Sequence, residues 1–143
     1  MGWRAPLLAG AAYGAAAFAA GFVLGTARVL VVAPLVGELT ATAIEVPLML
    51  IFGWVLCRRI VTAFSVPSRF PDRLLMSAVA FGVLMAAEAA LATLAFGRSV
   101  GDYLAALGTA AGAIGLAGQV AFSVLPIVRV GSPGIGSSRL LDR

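Results

Sequence analysis

The 143-residue chain contains no histidine, no lysine and no asparagine, and its single cysteine is Cys57. Those absences remove most metal sites, the Ser–His and Cys–His nucleophile pairs, a catalytic lysine and any disulfide within one chain. Charge is scarce as well. Only 11% of residues are charged, against about 25% in an average soluble domain. In their place stands apolar sequence, 62% hydrophobic with a mean hydropathy of +1.07. A 14.5 kDa globule cannot hide that much apolar surface, because small domains leave a large share of their surface facing water. The proportions speak against a soluble enzyme, and no cofactor or metal is expected.

Ten arginines against six acids give a formal charge of +4. In a soluble chain this would suggest nucleic acid. Here the arginines sit at the ends of apolar runs, with no basic stripe interleaved with aromatics, so no nucleic-acid partner is expected. The partner that the charges and the runs imply is a lipid bilayer.

A hydrocarbon core of about 30 Å needs about 20 apolar residues as helix. Four segments qualify, at about 6–32, 39–57, 73–96 and 104–128. The expected fold is all-α, an integral membrane four-helix bundle over residues 1–129 with a short flexible tail over 130–143. The first segment exceeds the ~7–15-residue apolar core of a signal peptide, and no polar cleavage region follows it, so it reads as an uncleaved span. With the N-terminus inside, Arg4, Arg58, Arg59, Arg69, Arg73, Arg129, Arg139 and Arg143 fall on the inner side, and only Arg28 and Arg98 on the outer. That asymmetry predicts both termini in the cytoplasm.

Apolar helices in lipid associate through small residues that let backbones approach. Gly10, Gly14, Gly21 and Gly25 share one face of the first span, and Gly108, Gly112 and Gly115 one face of the fourth. Both faces are expected to look inward, at other helices or at a second protein. Three ionisable residues lie deeper than topology demands. Glu45 is about two turns below the outer end of the second span, Glu88 at similar depth in the third, and Arg28 at the outer boundary of the first. Taken as neighbouring antiparallel helices, the second and third bring two carboxylates beneath one guanidinium. A lone acid at the centre of a span costs roughly 2.5–3.5 kcal/mol, so an Arg28–Glu45–Glu88 network holding about one exchangeable proton is predicted. Glu38, at the outer mouth, and Gln119, in the fourth span, are candidates for a polar path. Glu38 and Arg98 otherwise read as ordinary interface charges, and Gln119 as too deep to reach the cluster.

The run GTARVLVVAPLVGELTATAIEVP from Gly25 to Pro47 resembles a pattern in an uncharacterised family of small four-span proteins of bacterial inner membranes. Glu88 and the GLAGQ of Gly115–Gln119 accompany it. The resemblance implies a multi-pass location in that membrane, and no activity. Small multidrug resistance transporters carry their membrane Glu in the first helix, where this chain has none. Four-span disulfide-generating proteins need paired cysteines, and membrane glutathione-transferase-like proteins carry His and Asn. Two functions are therefore carried forward. One is an accessory or assembly subunit that packs, through its glycine faces, in a membrane complex or a homo-oligomer. The other is a small proton-coupled homo-oligomeric transporter or channel using Glu45, Glu88 and Arg28. A lipid-acting enzyme is a distant third, for want of a nucleophile or metal.

Overall fold

The computed structural model describes residues 2–128, and over them the chain is entirely helical. Helix α1 is one rod, Arg4–Val36. Helix α2 is Glu38–Ala63, α3 is Phe70–Ala95, a short α4 is Val100–Leu107 and α5 is Ala110–Val128. α1, α2, α3 and α5 are each long and apolar enough to cross a membrane. The expected tail, with Arg129, Arg139 and Arg143, lies outside the described residues.

The long helices outrun three of the expected spans and fall short of the fourth. α1 passes through Arg28 without a break because residues 28–32 widen into a π-helical turn, in which the Ala33 amide bonds the Arg28 carbonyl. A similar turn closes α3, where the Phe96 amide reaches the Leu91 carbonyl at 3.3 Å. Single π-turns inside α-helices are frequent at functional sites. Between α1 and α2 the chain turns on one residue, Gly37, at φ +85°, where a side chain would clash with its own backbone. The expected fourth span over 104–128 is two helices. Gly108 ends α4, and the Thr109 hydroxyl accepts the Gly112 amide at 3.1 Å to start α5. A glycine stop followed by a threonine cap is a legible boundary, masked in the sequence by apolar text on both sides. Before α4, Ser99 and Asp102 form a reciprocal capping box.

Around the bundle the order is α1, α3, α5, α2, so α2 and α3 face each other across the diagonal and pack mainly on α1 and α5. This corrects the expectation that the second and third spans are neighbours. Hydropathy cannot rank neighbours, because core and lipid are both apolar. Glycines set the close approaches. At Gly10 and Gly14 a Cβ would lie 2.7 Å from the Met76 carbonyl oxygen and 2.6 Å from that of Ala80, so α1 rests backbone to backbone on α3. Gly53 of α2 lies flat against the Phe122 ring of α5, and Gly118 against Val46. Neither Gly53 nor Gly118 was expected: Gly53 has no glycine three or four residues away, and the face traced through Gly108, Gly112 and Gly115 continues to Gln119 instead of Gly118.

The end of the bundle that holds Arg4 is filled. Tyr13, Met76 and Cys57 are fully buried. The Tyr13 ring stacks on Phe122 at 4.4 Å between centroids. Its hydroxyl lies 3.2 and 3.1 Å from the carbonyl oxygens of Gly53 and Phe122, so one side chain of α1 ties α2 to α5. Arg73, counted above among the orienting charges, is buried and donates to the carbonyls of Pro67 and Val66, which fixes the connection from α2 to α3.

Candidate functional site

Above the Tyr13–Phe122 stack the helices part around a cavity of about 1050 Å³ that runs from Ala17 and Phe122 up to Arg28, Glu38 and Arg98. Its apolar wall comes from every long helix, and most of its polar side chains fall into two groups. On one side the Arg28 Nε lies 2.7 Å from Glu45 Oε2. The Arg28 Nη1 donates to Glu38 Oε1 and to Thr42 Oγ1, both at 3.3 Å. Thr42, in turn, donates to the Glu38 carbonyl. Arg28 reaches back down the bundle instead of snorkelling outward. The π-turn that starts at this residue widens the helix where the side chain leaves it.

On the other side the Gln119 amide donates to both oxygens of Glu88, at 2.6 and 2.7 Å. Gln119 Oε1 is enclosed and has no hydrogen-bond partner. Among the described residues no cation lies within ion-pair distance of Glu88. Gln119 was expected to be too deep to join this cluster. The break at Gly108 corrects that, because starting the span at residue 110 moves Gln119 up by about a turn and a half relative to a span begun at 104.

Tyr103 of α4 adds an element that spacing could not supply. Its hydroxyl is enclosed beside the Glu88 carboxylate. Burial first, and then the Glu88 charge, push the phenol up to about 12. Nearby, the Ser99 hydroxyl holds the Asp102 carboxyl below the usual aspartate range.

The predicted Arg28–Glu45–Glu88 network therefore lines one cavity but divides in two. Glu45 pairs with Arg28, and Glu88 of α3 pairs with Gln119 of the adjacent α5. Glu38 is part of the first pair and not a separate interface charge. Of the predicted packing glycines, Gly10 and Gly14 pack. Gly21, Gly25 and Gly115 line the cavity, with room at each Cβ position; Gly108 ends α4, and Gly112, in the first turn of α5, packs against the Ala106 backbone of α4 and also lines the cavity. The reason is depth: beyond Ala17, which is still buried, the small face of α1 looks across the cavity toward Met49 and Glu45 of α2. Among the described residues no three Cys, Asp or Glu side chains converge on a common point.

Compared with protein-family models, with curated proteins and with solved structures, the chain matches none. The geometry of the cavity is what function must be argued from.

Proposed function

We propose that this is a multi-pass protein of the bacterial inner membrane, both termini cytoplasmic, that exchanges protons through its cavity as a small proton-coupled transporter. The arginine asymmetry supports the orientation. One observation carries the activity: Glu88 stands in an apolar wall, held by an amide and, among the described residues, by no cation. An ionised carboxylate in that position is costly. Taking up a proton relieves the cost, and cavity water is the route by which the proton comes and goes. Glu45 plays a different part. Its charge is already met by Arg28, so it anchors α1 to α2 and sets the shape of the mouth.

The test is proton entry into proteoliposomes loaded with a pH-sensitive dye under an imposed membrane potential. Wild type is expected to conduct. Glu88→Gln, which keeps size and one of the two acceptor oxygens facing Gln119, is expected to stay folded and lose the flux. Equal flux from the two proteins overturns the proposal.

An accessory or assembly subunit is the second reading. It is favoured by the apolar side chains presented at the Arg28 end, where Leu35 and Leu94 are 79% and 87% exposed. It would be established by a stoichiometric larger chain that co-purifies from native membranes in mild detergent.

A further inference from the structure

Among the described residues five ionisable side chains line the cavity: Arg28, Glu38, Glu45, Glu88 and Arg98. Arg28 serves both Glu45 and Glu38. Arg98, at the mouth, is near enough to Asp102 to act on its charge. Glu88 is left over. The groups around it come from every neighbouring element: Arg28 of α1, spent on Glu45; Glu45 of α2, itself an anion; Tyr103 of α4; and Gln119 of α5. Together Glu88 and Gln119 hold more acceptors than donors, since Gln119 Oε1 meets nothing. What this corner lacks is positive charge carrying N–H groups.

The rest of the wall selects the kind of cation. Phe18, Leu84, Met49 and Phe122 line the cavity, and nothing lies within 4 Å of a Cβ built at Gly115. A bare inorganic cation would want several oxygen ligands and finds carbon instead. An apolar body gains by leaving water. The size lies at the upper end of small-molecule pockets.

We infer that the cavity binds an organic ammonium ion, a protonated amine on an apolar body, with its nitrogen at Glu88 and Gln119. This rests on the proton-exchange function proposed above and names what the proton is exchanged for. The step balances: the carboxylic acid of Glu88 gives its proton to cavity water, and the carboxylate so formed takes the ammonium ion as its counter-charge. Proton and amine thus compete for one group.

The test uses two fluorescent probes of one shape and opposite charge, naphthylmethylammonium and naphthylacetate, with the full chain in detergent micelles and empty micelles as background. Wild type is expected to bind the ammonium saturably, one per chain, more tightly as pH rises, and to bind the carboxylate no better than micelles do. Glu88→Gln is expected to weaken ammonium binding at least tenfold, and Gly115→Leu, which fills the space without touching a charge, to do the same. Equal saturable binding of both probes by wild type overturns the inference even if a variant fails to fold, as does unchanged ammonium binding in folded Glu88→Gln. Glu88-dependent proton flux without charge-selective binding also overturns it and leaves proton exchange standing. Charge-selective binding without proton flux supports the site and removes proton exchange.

Discussion

Replacing Gly14 by alanine sets two known effects against each other, and Gly115 provides the matched control. Alanine is worth about 0.8–1 kcal/mol over glycine inside a helix, and both positions are helical. At Gly14 the new Cβ would stand 2.6 Å from the Ala80 carbonyl oxygen and 3.0 Å from the Val83 Cβ. The oxygen belongs to a backbone and cannot swing away, so α1 must lift from α3. Overpacking of this kind costs about 1–3 kcal/mol. At Gly115 the methyl enters open space, and only the propensity gain remains. Taking the difference between the two variants cancels propensity and leaves the contact, so Gly14→Ala is expected to be about 1–3 kcal/mol less stable than Gly115→Ala. Equilibrium unfolding in mixed detergent and SDS micelles, followed by circular dichroism, reads this directly. Equal stability of the two variants would refute the claim that backbone contact at the small face holds α1 to α3.

Tyr13→Phe keeps the ring stack and removes the hydroxyl, so the same titration should show a loss near 0.6 kcal/mol and no more than about 1.7 kcal/mol, the range for interhelical hydrogen bonds in a membrane. A double-mutant cycle on Arg28→Gln and Glu45→Gln should give a coupling of about 0.5–3 kcal/mol, with the double variant more stable than additivity allows; zero coupling would mean that the 2.7 Å contact contributes nothing. Tyr103, raised to about 12 from 10.0, lends stability that is complete below the ordinary tyrosine value and lost as pH climbs toward the raised one. Carbon-13 NMR of labelled Tyr103 should place its midpoint there, and Glu88→Gln should bring it part of the way down. Asp102 has the opposite sign. Its carboxyl sits below the ordinary 3.8, so the capping box helps above that value and fades as pH falls through the lowered midpoint; Ser99→Ala should return the Asp102 titration toward normal.

The parts of this fold that depend on a residue meeting water or lipid were legible in advance. Apolar length located four helices, and the stranded charge of Arg28 and Glu45 located a real ion pair, because placing either in lipid alone is costly. The parts that depend on one apolar surface choosing another were not legible. Nothing in the text of α2 says that its flank belongs on α5 and not α3, and the meeting of Gly53 with Phe122 is visible only once that choice is made. Gln119 was misjudged for a smaller reason. Its depth followed from a helix boundary, and the signal that corrects it, Gly108 followed by Thr109, lay in plain view among residues that also suit a continuous span. Tyr103 could be foreseen as an interface aromatic but not as a neighbour of Glu88, since α4 was taken for the start of the last span.

The order of helices around the bundle has a consequence for biosynthesis. α1 is made before α2, which can settle on it with Arg28 and Glu45 already matched. α3 then finds its surface on α1, yet brings Glu88 into the bilayer before Gln119 has been made. Until α5 arrives, that carboxylate lacks its amide, Gly53 lacks the ring that covers it, and the two carbonyls served by Tyr13 have not been brought together. Of the four long helices α5 is made last, and the Glu88 half of the polar interior depends on it. A nascent chain stalled before α5 would therefore carry Glu88 without its amide partner.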